Sequence, residues 1–202
     1  MADSVPQVVI IAGPNGAGKS TAAPDLLQGA LAVDDFINAD QISLGLSGFD
    51  PQGAAREAGR IMLRRMDELA GEGRSFAFES TLGGLALIRR IDRFLLQGYA
   101  VRIAYLWLDD PDLAVERVKQ RARSGGHDVP EEDVRRRFWR SARNFDRRYA
   151  PRATSWRLYD SSVPSIPTVA YRNEGEEIVI IRTGRWKALE AFTRLAWQKG
   201  GS

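Results

Sequence analysis

The stretch from Val8 to Thr21 constrains this chain more than any other: Val-Val-Ile-Ile-Ala-Gly-Pro-Asn-Gly-Ala-Gly-Lys-Ser-Thr. Val8 to Ile11 is an unbroken β-branched apolar run, the composition of a strand buried on both faces of a parallel sheet. Directly after it, Gly13-Pro14-Asn15-Gly16-Ala17-Gly18-Lys19-Ser20 matches the phosphate-binding pattern G-x-x-x-x-G-K-[ST]. Its glycines let successive N–H groups turn inward as an anion nest. Lys19 brings a mobile positive charge to the β- and γ-phosphates, and Ser20 offers a hydroxyl to Mg²⁺. The helix opening near Lys19, with Thr21 in its first turn, adds the positive end of its dipole. A dinucleotide fingerprint fails here, because the third glycine position is Thr21 and Lys19 sits inside the turn.

At 202 residues the chain is expected to form one domain, spanning 1–202. It has no cysteine, so neither disulfides nor thiol chemistry enters. No charged segment followed by a long apolar stretch opens the chain, and no apolar run approaches about 18 residues. Neither a signal peptide nor a membrane span is therefore expected, and a cytoplasmic location is. The formal charge of +3 suits an anionic substrate and argues only weakly for nucleic acid.

Strand and helix patterns alternate along the chain. Phe36 to Asp40 reads as a second strand ending in a carboxylate, Leu44 to Pro51 as loop, and Gln52 to Leu69 as a helix. Ser75 to Glu79 reads as a third strand, again ending in an acid, with Ser80 to Gly84 as the loop after it. A helix over Leu85 to Leu96 leads to a strand over Val101 to Leu108. Asp110-Pro111 starts another helix, running to about Ala122. Pro130 and three acids open the next. Trp156 to Tyr159 reads as a fifth strand, Thr168 to Arg172 and Glu177 to Arg182 as a hairpin, and Trp186 to Trp197 as a final helix. This alternation means a parallel sheet with helices on both faces, whose ligand lies at the carboxyl ends of the strands. The loop glycines, Asp40 and Glu79 all fall at that edge.

Phosphoryl transfer needs a group that accepts or orients the attacking proton, and cations to take up charge. Asp40 is the candidate general base, against a reading as a helix or turn cap. Glu79 is a candidate for binding substrate hydroxyls or for holding metal through water, against a structural hydrogen bond at a strand end. Asp109 stands where a Walker-B aspartate would, but just before Pro111 capping explains an acid. Arg117 and Arg121 share a helix face, and with Arg123 they could close over a triphosphate. Val134, Phe138, Ala142, Phe145 and Tyr149 form an apolar stripe among arginines, read as core rather than as a base-stacking platform. His127, the single histidine, reads as a turn residue with no partner for a metal.

Taken in order, Ala12 to Thr21, Phe36-Ile37-Asn38-Ala39-Asp40, Phe78-Glu79-Ser80-Thr81-Leu82, Arg117-Val118 and Gly125 to Pro130 resemble the zeta-toxin family of small P-loop kinases over roughly residues 6 to 162. The resemblance implies an α/β three-layer sandwich with a mostly parallel five-stranded core sheet, in the order 2-3-1-4-5. A lid-like segment at about 117–137 and a C-terminal hairpin and helix at about 168–199 complete it. It implies an ATP- and Mg²⁺-dependent kinase whose acceptor is a UDP-N-acetyl amino sugar, with an antitoxin protein as partner. By position, Gly13 to Thr21 would hold ATP, Lys19 and Ser20 its phosphate and metal, and Asp40 would be catalytic. Glu79 and Thr81 would bind substrate. Arg117 would be the first phosphate arginine, and Arg121 or Arg123 the second. The rival readings are a nucleic-acid-end or nucleoside kinase, and a non-enzymatic ATP-binding module or switch. No guanine-reading Asn-Lys-x-Asp is present.

Overall fold

The structure, a computed structural model, describes residues 5–28, 33–47, 50–126 and 129–199. β1 (Gln7–Ala12) leads through the phosphate loop into α1 (Lys19–Gln28), followed by β2 (Asp35–Ile37), α2 (Ala39–Leu46), α3 (Pro51–Gly71) and β3 (Phe76–Ser80). Then come α4 (Ile88–Leu96), β4 (Ala100–Trp107), α5 (Pro111–Arg123) and α6 (Glu131–Asn144), which runs on into a π-helical turn at Phe145–Tyr149. β5 (Ser155–Asp160), β6 (Thr168–Arg172), β7 (Val179–Ile180) and α7 (Thr183–Lys199) complete it.

The strands form one sheet in the order β2-β3-β1-β4-β5-β6-β7. The first five are parallel and in the expected order, with β1 central between β3 and β4. The hairpin does not stand beside this core. β6 adds antiparallel to β5 and β7 to β6, so the sheet has seven strands rather than five. The open side of β5 would otherwise leave a row of backbone groups unpaired.

The central position of β1 explains its composition: Val8 through Ala12 are fully buried. The stripe on α6 and its π turn is core, with Val134, Phe138, Ala142, Phe145 and Tyr149 all buried. α7 packs over it. Phe192 stacks on Trp139, its ring centroid 4.5 Å away, and Trp186 stacks on Trp156 at 6.2 Å. No helix among the described residues is long and apolar enough to cross a membrane.

Local chemistry shifts two boundaries. Leu44 to Leu46, read as loop, are helical. β2 stops at Ile37, because Asn38 caps α2: its Oδ1 accepts from Asp40 N at 2.8 Å and Gln41 N at 3.2 Å. Asp40 therefore lies in the first turn of a helix, not at the end of a strand. The expected start at Asp110-Pro111 is found, with Asp110 Oδ1 accepting from Asp112 N at 2.7 Å.

Candidate functional site

The carboxyl ends of β1 and β3, the start of α2 and the inner side of α5 surround a cleft of about 980 Å³. Asn15 to Thr21, Asp40, Glu79, Thr81, Arg117 and Arg121 all line it. The elements bring these residues together for simple reasons. β1 and β3 are parallel neighbours, with Ile11 opposite Glu79 and Ala12 opposite Ser80. The loop leaving β1 and the acid ending β3 thus emerge side by side.

The loop has the backbone that its glycines permit. Gly16 has φ +78°, and a Cβ there would lie 2.6 Å from the Ala114 carbonyl oxygen, so α5 packs directly on the loop. Gly18 has φ +75° and open space where a side chain would project. Lys19 Nζ donates to the carbonyls of Gly13 at 3.0 Å and Pro14 at 2.9 Å. Burial pulls its pKa down to about 8, against the opposing pull of Glu79 and Asp40. Asn15 is 9% exposed, and its Oδ1 is buried with no hydrogen-bond partner among the described residues. A buried acceptor of that kind at the cleft wall suits a ligand that donates to it.

The acids divide in character. Glu79 is half-buried; its Oε2 accepts from Ser20 Oγ at 3.1 Å and its Oε1 from Asn38 Nδ2 at 2.9 Å. Burial pushes its pKa up, and nearby Lys19 pulls it back. Asp40 is exposed to the cleft, with its Oδ2 3.8 Å from an Arg121 guanidinium nitrogen. The hydroxyl of Ser20 and the carboxylate of Glu79 are hard oxygen donors of the kind Mg²⁺ accepts alongside water and phosphate. Among the described residues, no cluster of three or more metal-binding side chains occurs, so such an ion would depend on the nucleotide for much of its coordination.

Arg117 donates from one guanidinium nitrogen to Ser161 O at 2.9 Å and to Gly16 O at 3.4 Å. Arg123 does not line this cleft; it faces a groove between α5 and α6 with Lys119, Glu131 and Arg135. Asp109 is also outside the cleft and pairs with Arg185 of α7 at 2.6 Å, while the capping role falls to its neighbour Asp110. His127 lies outside the described residues.

Five contributors were not assigned to the site from the sequence. Arg137 lines the cleft from α6. Asn38 joins the α2 cap to Glu79. Ser161 donates from Oγ to Ala17 O at 2.9 Å. Asn144 Nδ2 donates to Leu82 O at 2.7 Å, and Tyr149 OH to Gly84 O at 2.6 Å. These last two hold the loop carrying Thr81 in shape, including Leu82 at φ +52°, a conformation unfavourable for a leucine. The Asn after a strand was a visible cap signal; the rest depend on contacts between distant segments.

Comparison with known proteins bears on the fold. A protein of Haemophilus influenzae, described as uncharacterized, is 29% identical over 132 residues, 65% of this chain and 92% of its own. The structure of the PezAT chromosomal toxin-antitoxin system of Streptococcus pneumoniae matches with a TM-score of 0.63 at 12% identity, over 98% of this chain and 89% of that one. The AvrRxo1-ORF1:-ORF2 structure with ATP matches with a TM-score of 0.66 at 16% identity, over 93% of this chain and 64% of that one. These are likenesses of fold, and at that level the resemblance to zeta-toxin P-loop kinases holds. The family model described as "AAA domain" matches residues 8–146. Since that match runs from β1 past the end of α6, taking in the phosphate loop, Asp40, Glu79 and Arg121 alike, the chain belongs to the AAA domain family.

Proposed function

We propose that this protein is an ATP-dependent kinase that moves the γ-phosphoryl group onto a hydroxyl of an anionic small molecule, with a nucleotide sugar such as a UDP-N-acetyl amino sugar as the leading acceptor. The observation that carries the reading is the convergence of Lys19, Glu79 and Asp40 on one cleft beside the phosphate loop. The chain from 1 to 202 is read as a single kinase domain, with 117–137 as a lid over the nucleotide.

In this reading the acceptor oxygen attacks the γ-phosphorus, the bond to the ADP oxygen breaks, and the hydroxyl proton passes to the Asp40 carboxylate. Asp40 suits this role because it is exposed to the cleft and only loosely paired, 3.8 Å from Arg121. Lys19, Arg117 and Arg121 take up charge on the phosphates. Ser20, and Glu79 through water, would hold Mg²⁺, which supplies charge neutralisation between the phosphates. Glu79 and Thr81 would hold the acceptor. Arg137, paired with Asp133 at 3.1 Å, lines the cleft wall beside them, while Arg123 drops out because it faces another groove.

A small acceptor is favoured over a nucleic-acid end because the α6 arginines are largely neutralised. Arg135 pairs with Asp112 and Glu131, and Arg136 and Arg137 with Asp133, so they do not make a continuous basic track. The fold likeness to a toxin–antitoxin system supports an antitoxin-type protein as partner, and the composition supports a cytoplasmic location for this protein.

The test is incubation with ATP, Mg²⁺ and a panel of nucleotide sugars and nucleosides, read by mass spectrometry for the gain of one phosphate. Asp40→Ala should lose transfer by at least about a hundredfold while keeping ATP affinity, and Lys19→Ala should weaken both. Transfer at the wild-type rate by Asp40→Ala removes Asp40 from the mechanism.

A further inference from the structure

Asn15 stands in the middle of the phosphate loop and lines the cleft, but is only 9% exposed. Its Oδ1 is buried without a hydrogen-bond partner among the described residues, and its Nδ2 makes no hydrogen bond among them either. Asparagine in a tight loop usually has one of three backbone reasons, and here none applies. An Asx turn would have Asn15 Oδ1 accept from Ala17 N, which instead donates to Pro14 O at 3.2 Å. A left-handed backbone is excluded, since Leu82 and Ile166 are the non-glycine residues with positive φ among those described. A helix cap is excluded by distance, because α1 begins only at Lys19. A buried carboxamide with no local use and no partner is a group kept for something that enters the cleft.

The contacts on either side of Asn15 identify what enters. Lys19 Nζ lies 2.9 Å from Pro14 O, the carbonyl of the peptide bond to Asn15. On the other side, Arg117 donates to Gly16 O at 3.4 Å. Asn15 is thus flanked by two of the cations assigned to the phosphates, where Lys19 meets the β- and γ-groups. As the side chain stands, its buried oxygen would take a donor, but the oxygens of an ionised terminal phosphate only accept. A half-turn about χ2 exchanges the carboxamide's oxygen and nitrogen, and with neither end bonded it breaks no hydrogen bond.

We infer that Asn15 reads the terminal phosphate: its Nδ2 donates to a γ-phosphoryl oxygen of ATP, an atom that ADP lacks. The role rests on the cleft being an ATP site, and adds to it selection of triphosphate over diphosphate. Once the γ-phosphoryl group has moved to the acceptor, Asn15 has lost its partner, so ADP is held less tightly and leaves.

Calorimetric titration of the full chain with ATP and with ADP, each with Mg²⁺, tests this, and thermal melting of the ligand-free proteins monitors the fold. The wild type should bind ATP more tightly than ADP. Asn15→Ala should weaken ATP binding about tenfold and leave ADP within about twofold. Asn15→Asp keeps the shape but sets a carboxylate against the phosphate. It should weaken ATP binding further still, and it serves as the test if Asn15→Ala does not fold. Equal losses for ATP and ADP would make Asn15 a prop for the loop, and unchanged ATP binding would leave its amide unused; either result overturns the inference. A wild type that binds neither nucleotide overturns the ATP reading of the cleft itself. A wild type that binds both, with variants that do not separate them, overturns the role of Asn15 alone.

Discussion

Lys19 shows how much of the site's behaviour belongs to one side chain. Its ammonium donates to two loop carbonyls, and burial has brought its pKa down to about 8, from an ordinary 10.5. Triphosphate binding needs the charged form. As pH rises through 8 the free protein loses that charge, so the apparent dissociation constant for ATP should climb, approaching tenfold per pH unit. Calorimetry between about pH 7.5 and 9.5 reads this directly, and Lys19→Ala should flatten the profile; a flat wild-type profile would mean that Lys19 stays charged. For the stability of the ligand-free fold the sign is opposite. The unfolded chain holds this proton more tightly, so the fold gains stability as pH rises from 8 towards 10.5. Glu79, with its pKa raised, makes a cost that appears as pH rises past its ordinary 4.5. The sequence pattern identified both residues; their perturbed protonation comes from burial that only the packed cleft creates.

Among elements, the contact of α5 with the phosphate loop and the segment after β5 holds the nucleotide side of the cleft. Arg117 bonds to Gly16 O and Ser161 O, and Ser161 Oγ bonds to Ala17 O. Ser161 is buried, so Ser161→Ala leaves the Ala17 carbonyl without its partner at a cost of about 1–2 kcal/mol, measurable by urea unfolding. Because the loop then loses one of its props, KM for ATP should rise severalfold with kcat nearly unchanged; a larger fall in kcat would mean that Ser161 acts on transfer itself. α2 gives the complementary lesson. Phe36 to Asp40 looked like one strand because its apolar pattern runs into an acid. Asn38 instead caps a helix, and a three-residue shift at a boundary moves Asp40 from strand end to helix start without moving it from the cleft.

At the scale of the whole molecule, α7 ties the C-terminal region to the ends of β4 and β5. Arg185 bonds to Asp109 at 2.6 Å, to Asp160 at 2.9 Å and to Ser162 at 2.8 Å, and lies 4.6 Å over the Trp107 ring. Burial pushes the pKa of Asp160 up, but hydrogen bonds from Ser162 and Arg185 outweigh it and leave it below the ordinary value. Arg185→Ala should therefore destabilise the fold by about 2–3 kcal/mol, seen as a lower melting temperature, by stranding a largely buried carboxylate; an unchanged melt would show that Asp160 finds other partners. The stabilisation from Asp160 is present above about pH 3.8 and is lost as pH falls, so the deficit should shrink in acid. By itself the sequence determined the phosphate loop, the parallel core and its acid-tipped edge, because those depend on local periodicity, glycine spacing and capping. Only the tertiary structure decided that the hairpin extends the sheet, that Arg121 rather than Arg123 faces the cleft, and that Asp109 serves α7. Each of those depends on which distant segments come to lie side by side, and no short-range pattern encodes that.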